Sequence, residues 1–135
     1  MNYWLIKSEP NTYSFEQMKS DKKTMWDGVR NYQARNNMRD MKKGDIALFY
    51  HSGKDRQVVG EVEIVKEHYQ DPTTDDNNWV VVDVKYKKNF KNPVNLADIK
   101  EKKTLSEMHL VRNSRLSVSS VKKKEYEMIV KMSES

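Results

Sequence analysis

The sequence contains no cysteine, and it has only four glycines and three prolines among 135 residues. Without cysteine, the chain can form neither a disulfide nor a thiolate zinc site, and it has no thiol nucleophile. No glycine-rich phosphate-binding loop and no G-x-S-x-G motif is present. No apolar run approaches the roughly 18 residues that a membrane helix needs, and the N-terminus lacks the pattern of a signal peptide. We therefore expect a cytoplasmic protein that uses no cofactor, no metal and no membrane.

Residues suited to catalysis are also sparse. The histidines His51, His68 and His109 lie far apart in sequence and form no H-x-x-x-H zinc pattern. Asp27 and His51 could act as an acid–base pair, but no local motif supports that pairing. The sequence thus predicts no catalytic residue, and a nucleotide hydrolase acting through Asp27 or His51 is the least favoured alternative.

The length and the charge of the chain indicate its number of domains and the kind of partner it has. A chain of 135 residues fits one domain with one core, spanning residues 1–135, and we expect it to be a monomer. The net charge is +5, and residues 85–135 carry this excess whereas residues 1–84 are close to balance. This asymmetry favours a polyanionic partner, although many small basic proteins have none.

Short apolar runs and capping residues predict a mixed fold. Ser14, Asn31 and Asn95 each stand where a helix N-cap is expected, and Lys22 and Lys23 are expected in a loop. Short strands are mixed with short helices without regular alternation, which favours a small α+β barrel over a doubly wound sheet. The predicted strands are Tyr3–Ile6, Ile46–Tyr50, Gln57–Lys66, Trp79–Val84 and Leu116–Val118; the predicted helices include residues 15–19, 31–42, 104–109 and 121–132, and residues 110–115 are expected to be irregular.

Residues 26–37 are too polar for a core and too aromatic for an ordinary surface. The spacing of Trp26 is compatible with a core anchor, which spacing alone favours, or with a wall against which a flat anionic ligand stacks. Arg35, Arg39 and Lys42 recur on one face of the predicted helix, either as a solvated face or as a phosphate-binding stripe. Farther on, the basic segment 112–117 supplies donors typical of phosphate contacts, although a solvated loop fits it equally well.

Several motifs follow one another in an order that resembles the EVE domain. This domain belongs to the PUA-like superfamily, occurs in the thymocyte nuclear protein family and in stand-alone bacterial relatives, and is related to the YTH domain. The resemblance covers essentially the whole chain and implies a PUA-like mixed β-pseudobarrel with peripheral short helices. The motifs that carry it are Tyr3–Pro10, Trp26–Asn31, Gly44–Asp45, Phe49–Ser52, Val59–Gly60 and Leu110–Val118.

The same resemblance implies a non-enzymatic reader that captures a modified base in an aromatic pocket. The expected base is of the 5-methyl- or 5-hydroxymethylcytosine type, in DNA first and in RNA second. An RNA-binding PUA-like module without modified-base specificity is the main alternative. We expect the base-binding pocket to be formed by Ser8, Trp26, Val29, Arg30, Asn31, His51 and Ser52. We expect the phosphate backbone to be bound by Arg35, Arg39, Arg112, Ser114 and Arg115.

Overall fold

One mixed sheet of six strands organises the chain, and the computed structural model describes every residue from Met1 to Ser135. Short helices flank the sheet, so the fold is of the α+β class. The strands are β1 (Tyr3–Ser8), β2 (Lys23–Trp26), β3 (Ile46–His51), β4 (Gln57–Gln70), β5 (Val80–Asn95) and β6 (Val118–Val121). The helices are α1 (Phe15–Asp21), α2 (Tyr32–Asp40), α3 (Leu96–Glu101), α4 (His109–Arg112) and α5 (Lys123–Glu134), with a 3-10 turn at Lys103–Leu105.

The strands follow the order β2-β5-β4-β3-β1-β6 across the sheet. β1 runs parallel to β3, with Tyr3 opposite Ile46, and every other neighbouring pair is antiparallel. The two edge strands, β2 and β6, are not hydrogen-bonded to each other. The predicted α+β class is therefore confirmed, but the expected barrel is an open sheet.

Alternation along the strands divides the interior into two cores, one on each face of the sheet. In β1, Trp4 and Ile6 belong to one core and Leu5 belongs to the other, because successive side chains of a strand point to opposite faces. The first core holds Trp26 together with buried residues of α1 and α2. The second core lies under α3, α4 and α5. No helix combines the length and the apolar character needed to cross a membrane.

All three predicted residues occupy N-cap positions, and two of them form the capping hydrogen bond. Ser14 Oγ accepts a hydrogen bond from Gln17 N at 3.1 Å, and Asn31 Oδ1 accepts one from Ala34 N at 2.9 Å. Asn95 occupies the N-cap position of α3, but its side chain makes no capping hydrogen bond. Asn95 is still paired with Gln57 in the sheet, so the chain enters α3 directly from a strand.

Long-range pairing accounts for the other differences from the predicted elements. Lys23 was expected in a loop, yet β2 forms there because residues 23–26 pair with residues 82–85 of β5. β5 also continues past Val84, the predicted end of the strand, because β4 pairs with it as far as Asn95. α4 occupies part of the segment that was expected to be irregular. The local pattern of apolar residues contains none of this information.

Candidate functional site

A cavity of about 490 Å³ opens beside the end of β1, along β2 and beneath the loop that follows β2. We call it the Trp26 cavity. Its wall combines apolar side chains with hydroxyl groups and charged groups. The lining residues are Lys7, Ser8, Glu9, Thr12, Tyr13, Thr24, Met25, Trp26, Asp27, Gly28, Val29 and Ser117.

Trp26 belongs both to the core and to the cavity wall. The residue is only 9% exposed, and its ring packs edge to face against Phe49, with ring centroids 5.5 Å apart. The Tyr13 ring also meets it at 80°, with centroids 6.1 Å apart. Edge-to-face pairs of this kind add to the stability gained from burial. The two interpretations of Trp26 are therefore compatible, because a core anchor presents part of its surface to the cavity.

Tyr13 is fixed in the cavity wall by two hydrogen bonds. Ser8 Oγ donates to the Tyr13 carbonyl oxygen at 2.6 Å, and Tyr13 Oη donates to Asp21 Oδ2 at 2.8 Å. Burial, together with the Asp21 carboxylate, raises the pKa of Tyr13 to about 12. The phenol therefore stays protonated at neutral pH, and Tyr13 acts as a neutral wall of defined orientation.

Three charged side chains lie at the cavity. Lys7 Nζ donates to the Ser114 carbonyl oxygen at 2.8 Å and lies 5.8 Å from the centre of the Tyr50 ring. Burial lowers the pKa of Lys7, because a charged amine loses hydration there. Glu9 and Asp27 are exposed and also line the cavity, and the Glu9 carboxylate lies beside Gly53 of the loop after β3.

Asp71 holds the loop that forms one side of the cavity. Its side chain is fully buried, and Oδ2 accepts hydrogen bonds from Gly28 N at 3.2 Å and from Arg30 Nη1 at 3.0 Å. Oδ1 accepts from Thr73 N at 2.8 Å and from the Thr73 hydroxyl. Burial alone would raise the pKa of Asp71, but the hydrogen bonds from Thr73, Arg30 and Gly28 outweigh it and lower the pKa to about 2. Asp71 is therefore ionised, and it joins the cavity loop to the segment after β4.

An aromatic pair continues the surface beyond this loop. Tyr32 and Trp79 stack with ring centroids 5.0 Å apart. The guanidinium carbon of Arg30 lies 5.7 Å from the centre of the Trp79 ring, and that of Arg35 lies 4.9 Å from the centre of the Tyr32 ring. Contacts between arginine and an aromatic face are attractive, so the start of α2 is packed against the loop that precedes β5.

A second cavity of about 550 Å³ lies between the start of α2 and the segment that precedes β6. We call it the Gln33 cavity. Six of its seven lining residues are polar or charged, one is apolar, and none is an aspartate or a glutamate. They are Asn31, Gln33, His109, Asn113, Ser114, Arg115 and Leu116.

The structure brings some of the predicted base-pocket residues together and separates others. Ser8, Trp26 and Val29 line the Trp26 cavity. Asn31 instead lines the Gln33 cavity while its Oδ1 caps α2, and Arg30 forms the ion pair with Asp71.

The other two predicted pocket residues, His51 and Ser52, lie outside both cavities. His51 Nε2 accepts a hydrogen bond from Phe15 N at 3.0 Å, and its Nδ1 lies 3.5 Å from Asp55. Burial lowers the pKa of His51, although Asp55 opposes that shift. The backbone N–H of Ser52 donates to the Ser8 carbonyl oxygen at 3.0 Å. In this position both residues support the end of β1.

The five residues predicted to bind phosphate differ in their surroundings. Ser114 and Arg115 line the Gln33 cavity, and Arg39 is exposed on α2. Arg35 donates to the Asn78 carbonyl oxygen and to Asn36. Arg112 is neutralised by Glu107 at 2.8 Å. The roles of all five in binding stay predictions.

Sequence reasoning did not select several residues of the Trp26 cavity. Tyr13 carried no signal, because only the folded chain brings it to Trp26. Thr24 and Met25 were missed because β2 itself was not expected. Lys7 and Ser117 stood within the motifs of the resemblance, and the signal available was that Lys7 precedes Ser8 and that Ser117 lies two residues after Arg115. Nowhere in the chain do three histidine, aspartate or glutamate side chains cluster as metal ligands would.

Comparison with known proteins gives a consistent result. The family model described as EVE domain matches residues 2–132. Mouse thymocyte nuclear protein 1 is 38% identical over 99% of this chain and 74% of its own length. The crystal structure of protein Atu2648 from Agrobacterium tumefaciens superposes with a TM-score of 0.95 at 44% identity, covering 98% of this chain and 93% of that one. The human THYN1 protein in complex with 5-methylcytosine containing DNA superposes with a TM-score of 0.93 at 33% identity, covering 100% of this chain and 99% of that chain.

Proposed function

This chain belongs to the EVE domain family, and from that membership we propose that it is a nucleic-acid-binding reader of modified bases. The base enters the Trp26 cavity and is held there without chemical change. The modification is of the 5-methyl- or 5-hydroxymethylcytosine type, in DNA first and in RNA second. A structural relative that binds 5-methylcytosine containing DNA supports this proposal.

The observation that carries the proposal is that the Trp26 cavity has the volume of a small-ligand site and a wall with aromatic and apolar side chains. A volume of about 490 Å³ falls in the range of small-ligand sites, roughly 300–1,000 Å³. Trp26, Met25 and Val29 supply apolar contact to a flat ring. Flipping a base out of a duplex costs a few kcal/mol, and contact with an aromatic side chain returns roughly 1–3 kcal/mol per base. Single-stranded or already unpaired sites are therefore favoured over intact duplex.

The two acidic residues on the wall, which outnumber its one lysine, favour cytosine over thymine or uracil. Glu9 and Asp27 place carboxylates at the cavity, and carboxylates accept hydrogen bonds from the exocyclic amine of cytosine. Thymine and uracil present a carbonyl oxygen at that position, which a carboxylate repels. A methyl group in an apolar pocket discriminates by only about 1–3 kcal/mol. The carboxylates therefore select the base, and the apolar wall selects the modification.

Fluorescence anisotropy with matched oligonucleotides tests the proposal. Cytosine, 5-methylcytosine or 5-hydroxymethylcytosine is placed at one position, in single-stranded and duplex DNA and in RNA. We expect the modified base to be preferred by about tenfold and Trp26→Phe to reduce that preference. Trp79→Phe is the matched control, because Trp79 lies outside both cavities, and it should keep the preference. Equal affinity for modified and unmodified strands would contradict the proposal, and stronger binding to structured RNA would then favour the RNA-binding alternative.

The hydrolase alternative requires a separate experiment. Asp27 lines the cavity, whereas His51 does not and is hydrogen-bonded to the backbone of α1. We therefore expect modified oligonucleotides to be recovered unchanged after long incubation, with or without divalent metal, as judged by mass spectrometry. Turnover by the wild type that disappears in Asp27→Asn would show that the protein is an enzyme.

A further inference from the structure

The Gln33 cavity adjoins the Trp26 cavity along two segments of the chain. On one side, Val29 lines the Trp26 cavity and Asn31 lines the Gln33 cavity. On the other side, the consecutive residues Ser117 and Leu116 line the Trp26 cavity and the Gln33 cavity respectively. The hydrogen bond from Lys7 Nζ to the Ser114 carbonyl oxygen, at 2.8 Å, joins the two walls. The two cavities are therefore neighbours, and a strand whose base fills the first can place its next nucleotide at the second.

The two cavities differ in charge, and this difference determines which part of the strand each one favours. Glu9 and Asp27 line the Trp26 cavity together with Lys7, whose Nζ is already hydrogen-bonded to the Ser114 carbonyl oxygen. The acidic residues outnumber the lysine, so the lining disfavours a phosphate. No carboxylate lines the Gln33 cavity, and Arg115 there forms none of the three ion pairs of the molecule. A base is thus favoured in the first cavity, and the phosphate and the neighbouring nucleotide are favoured at the second.

Amide side chains of the Gln33 cavity retain free hydrogen-bonding groups. Gln33 is exposed, and its amide has no partner within the protein. Asn113 uses its side-chain Nδ2 toward His109 Nδ1 at 2.7 Å, which leaves its side-chain Oδ1 free. An amide presents a donor and an acceptor side by side and can therefore form two hydrogen bonds with a base edge. Amide side chains on the cavity wall can therefore distinguish one base from another.

We propose that the Gln33 cavity is a subsite for the nucleotide adjacent to the captured base, so that this chain reads a two-base step. The proposal rests on the proposed function, because the Trp26 cavity must first hold a base. Gln33 and Asn113 read the edge of the neighbouring base, and Arg115 contacts the phosphate between the two nucleotides.

Anisotropy on a set of single-stranded oligonucleotides tests the proposal. Each strand carries one 5-methylcytosine, and the four bases are placed in turn on its 5′ side and on its 3′ side. For the wild type we expect affinity to vary about tenfold with the base on one side, since a bidentate contact discriminates by that order. Gln33→Ala and Asn113→Ala should reduce this variation to within about twofold and keep the preference for 5-methylcytosine over cytosine. Arg115→Ala should weaken all strands alike.

Asn77→Ala is the matched control, since Asn77 is likewise an exposed amide without a side-chain hydrogen bond and lies outside both cavities. It should leave both preferences intact. Alanine is the best helix former, so Gln33→Ala is expected to fold, and circular dichroism verifies this. A wild type indifferent to both neighbours, or a variation that survives in both amide variants, overturns the subsite. If the wild type binds cytosine and 5-methylcytosine equally, yet its affinity still varies with the neighbouring base, the proposed function is overturned instead.

Discussion

At the scale of single residues, Asp71 fixes the loop that forms one side of the site. It lies outside the Trp26 cavity, yet its buried carboxylate binds Gly28 and Arg30 of the loop that forms the cavity wall. A buried carboxylate that accepts several hydrogen bonds is stabilised in its charged form. The position of the loop is therefore coupled to the ionisation of one residue.

This coupling predicts a pH-dependent stability. The pKa of Asp71 lies at about 2 in the folded protein, below its value near 4 in an unfolded chain. The carboxylate thus contributes about 2 kcal/mol above pH 4, and this contribution is lost as the pH falls toward 2. Urea unfolding between pH 6 and pH 2.5 should show the wild type losing its advantage over Asp71→Asn. Asp75→Asn, an exposed change in the same loop, should follow the wild type, and an advantage over Asp71→Asn that does not change with pH would contradict the assignment.

Gly60 is required by close packing. A methyl group at this position would collide with the ring of Phe15 and with the carbonyl oxygen of Lys88, where β4 has shifted its register against β5. The register shift and the close backbone approach therefore coincide at this glycine.

We predict that Gly60→Ala lowers the free energy of unfolding by about 3 kcal/mol, near the upper end for overpacking. Gly44→Ala is the comparison. Its φ of +96° strains a side chain, but no atom lies within 4 Å of the added methyl, so the loss should be about 1–2 kcal/mol. Thermal or urea unfolding measures both. A loss at Gly60 no larger than at Gly44 would show that β4 and β5 can move apart at small cost.

At the scale of elements, the segment that leads into α2 serves three surfaces. Trp26 and Val29 line one cavity, Asn31 and Gln33 line the other, and Tyr32 stacks on Trp79. The helix remains regular because Asn31 caps it. The turn after β2 and the first residues of α2 therefore place the residues of the two cavities side by side.

The surroundings of the arginines predict which of them influence binding through charge. Arg39 is exposed on α2 and forms none of the ion pairs of the molecule, whereas Arg112 is paired with Glu107. Each phosphate contact contributes about 0.9 to the salt dependence of log affinity on duplex DNA. Arg39→Ala should lower that slope by about one, and Arg112→Ala should change it much less. Titrations at several salt concentrations measure this, and a slope that depends on Arg112 but not on Arg39 would place the backbone on the α4 side.

At the scale of the whole molecule, the two ends of the chain meet in the sheet. β1 lies between β3, to which it runs parallel, and β6, to which it is antiparallel. α5 then packs over β5, and Tyr126 Oη donates to the buried Glu61 of β4 at 2.9 Å. No large part of the chain can be removed without uncovering one of the two cores.

We therefore predict that residues 1–135 unfold as one cooperative unit. Limited proteolysis should release no stable fragment that lacks β1 or β6. Loss of β1 removes its pairing with both β3 and β6, and loss of either strand removes residues from both cores. Mass spectrometry of the digest identifies the fragments. A protected core of half the length would show that the sheet contains two independent units.

Local chemistry explains which features could be predicted from the sequence. The caps at Ser14 and Asn31 depend on a side chain and an amide three residues away, so the sequence contains the whole interaction. The buried strands β1 and β3 appeared as continuous apolar runs. Trp26 was identified as a residue of interest, but spacing could not decide whether it lies in the core or at a cavity, since that depends on Tyr13 and Phe49.

The sequence by itself determined the absence of thiol chemistry, the capped helices, the apolar strands and the family, because each is recorded in residue identity or in short spacing. Only the tertiary structure decided that the sheet is open, that residues 23–26 form an edge strand, and that Asp71 holds the cavity loop. It also decided that Arg30 and Arg112 form ion pairs with carboxylates, whereas Arg115 does not. Each of these depends on a partner many residues away, and the free energy of such pairing is set by burial and geometry that arise only when the chain has folded.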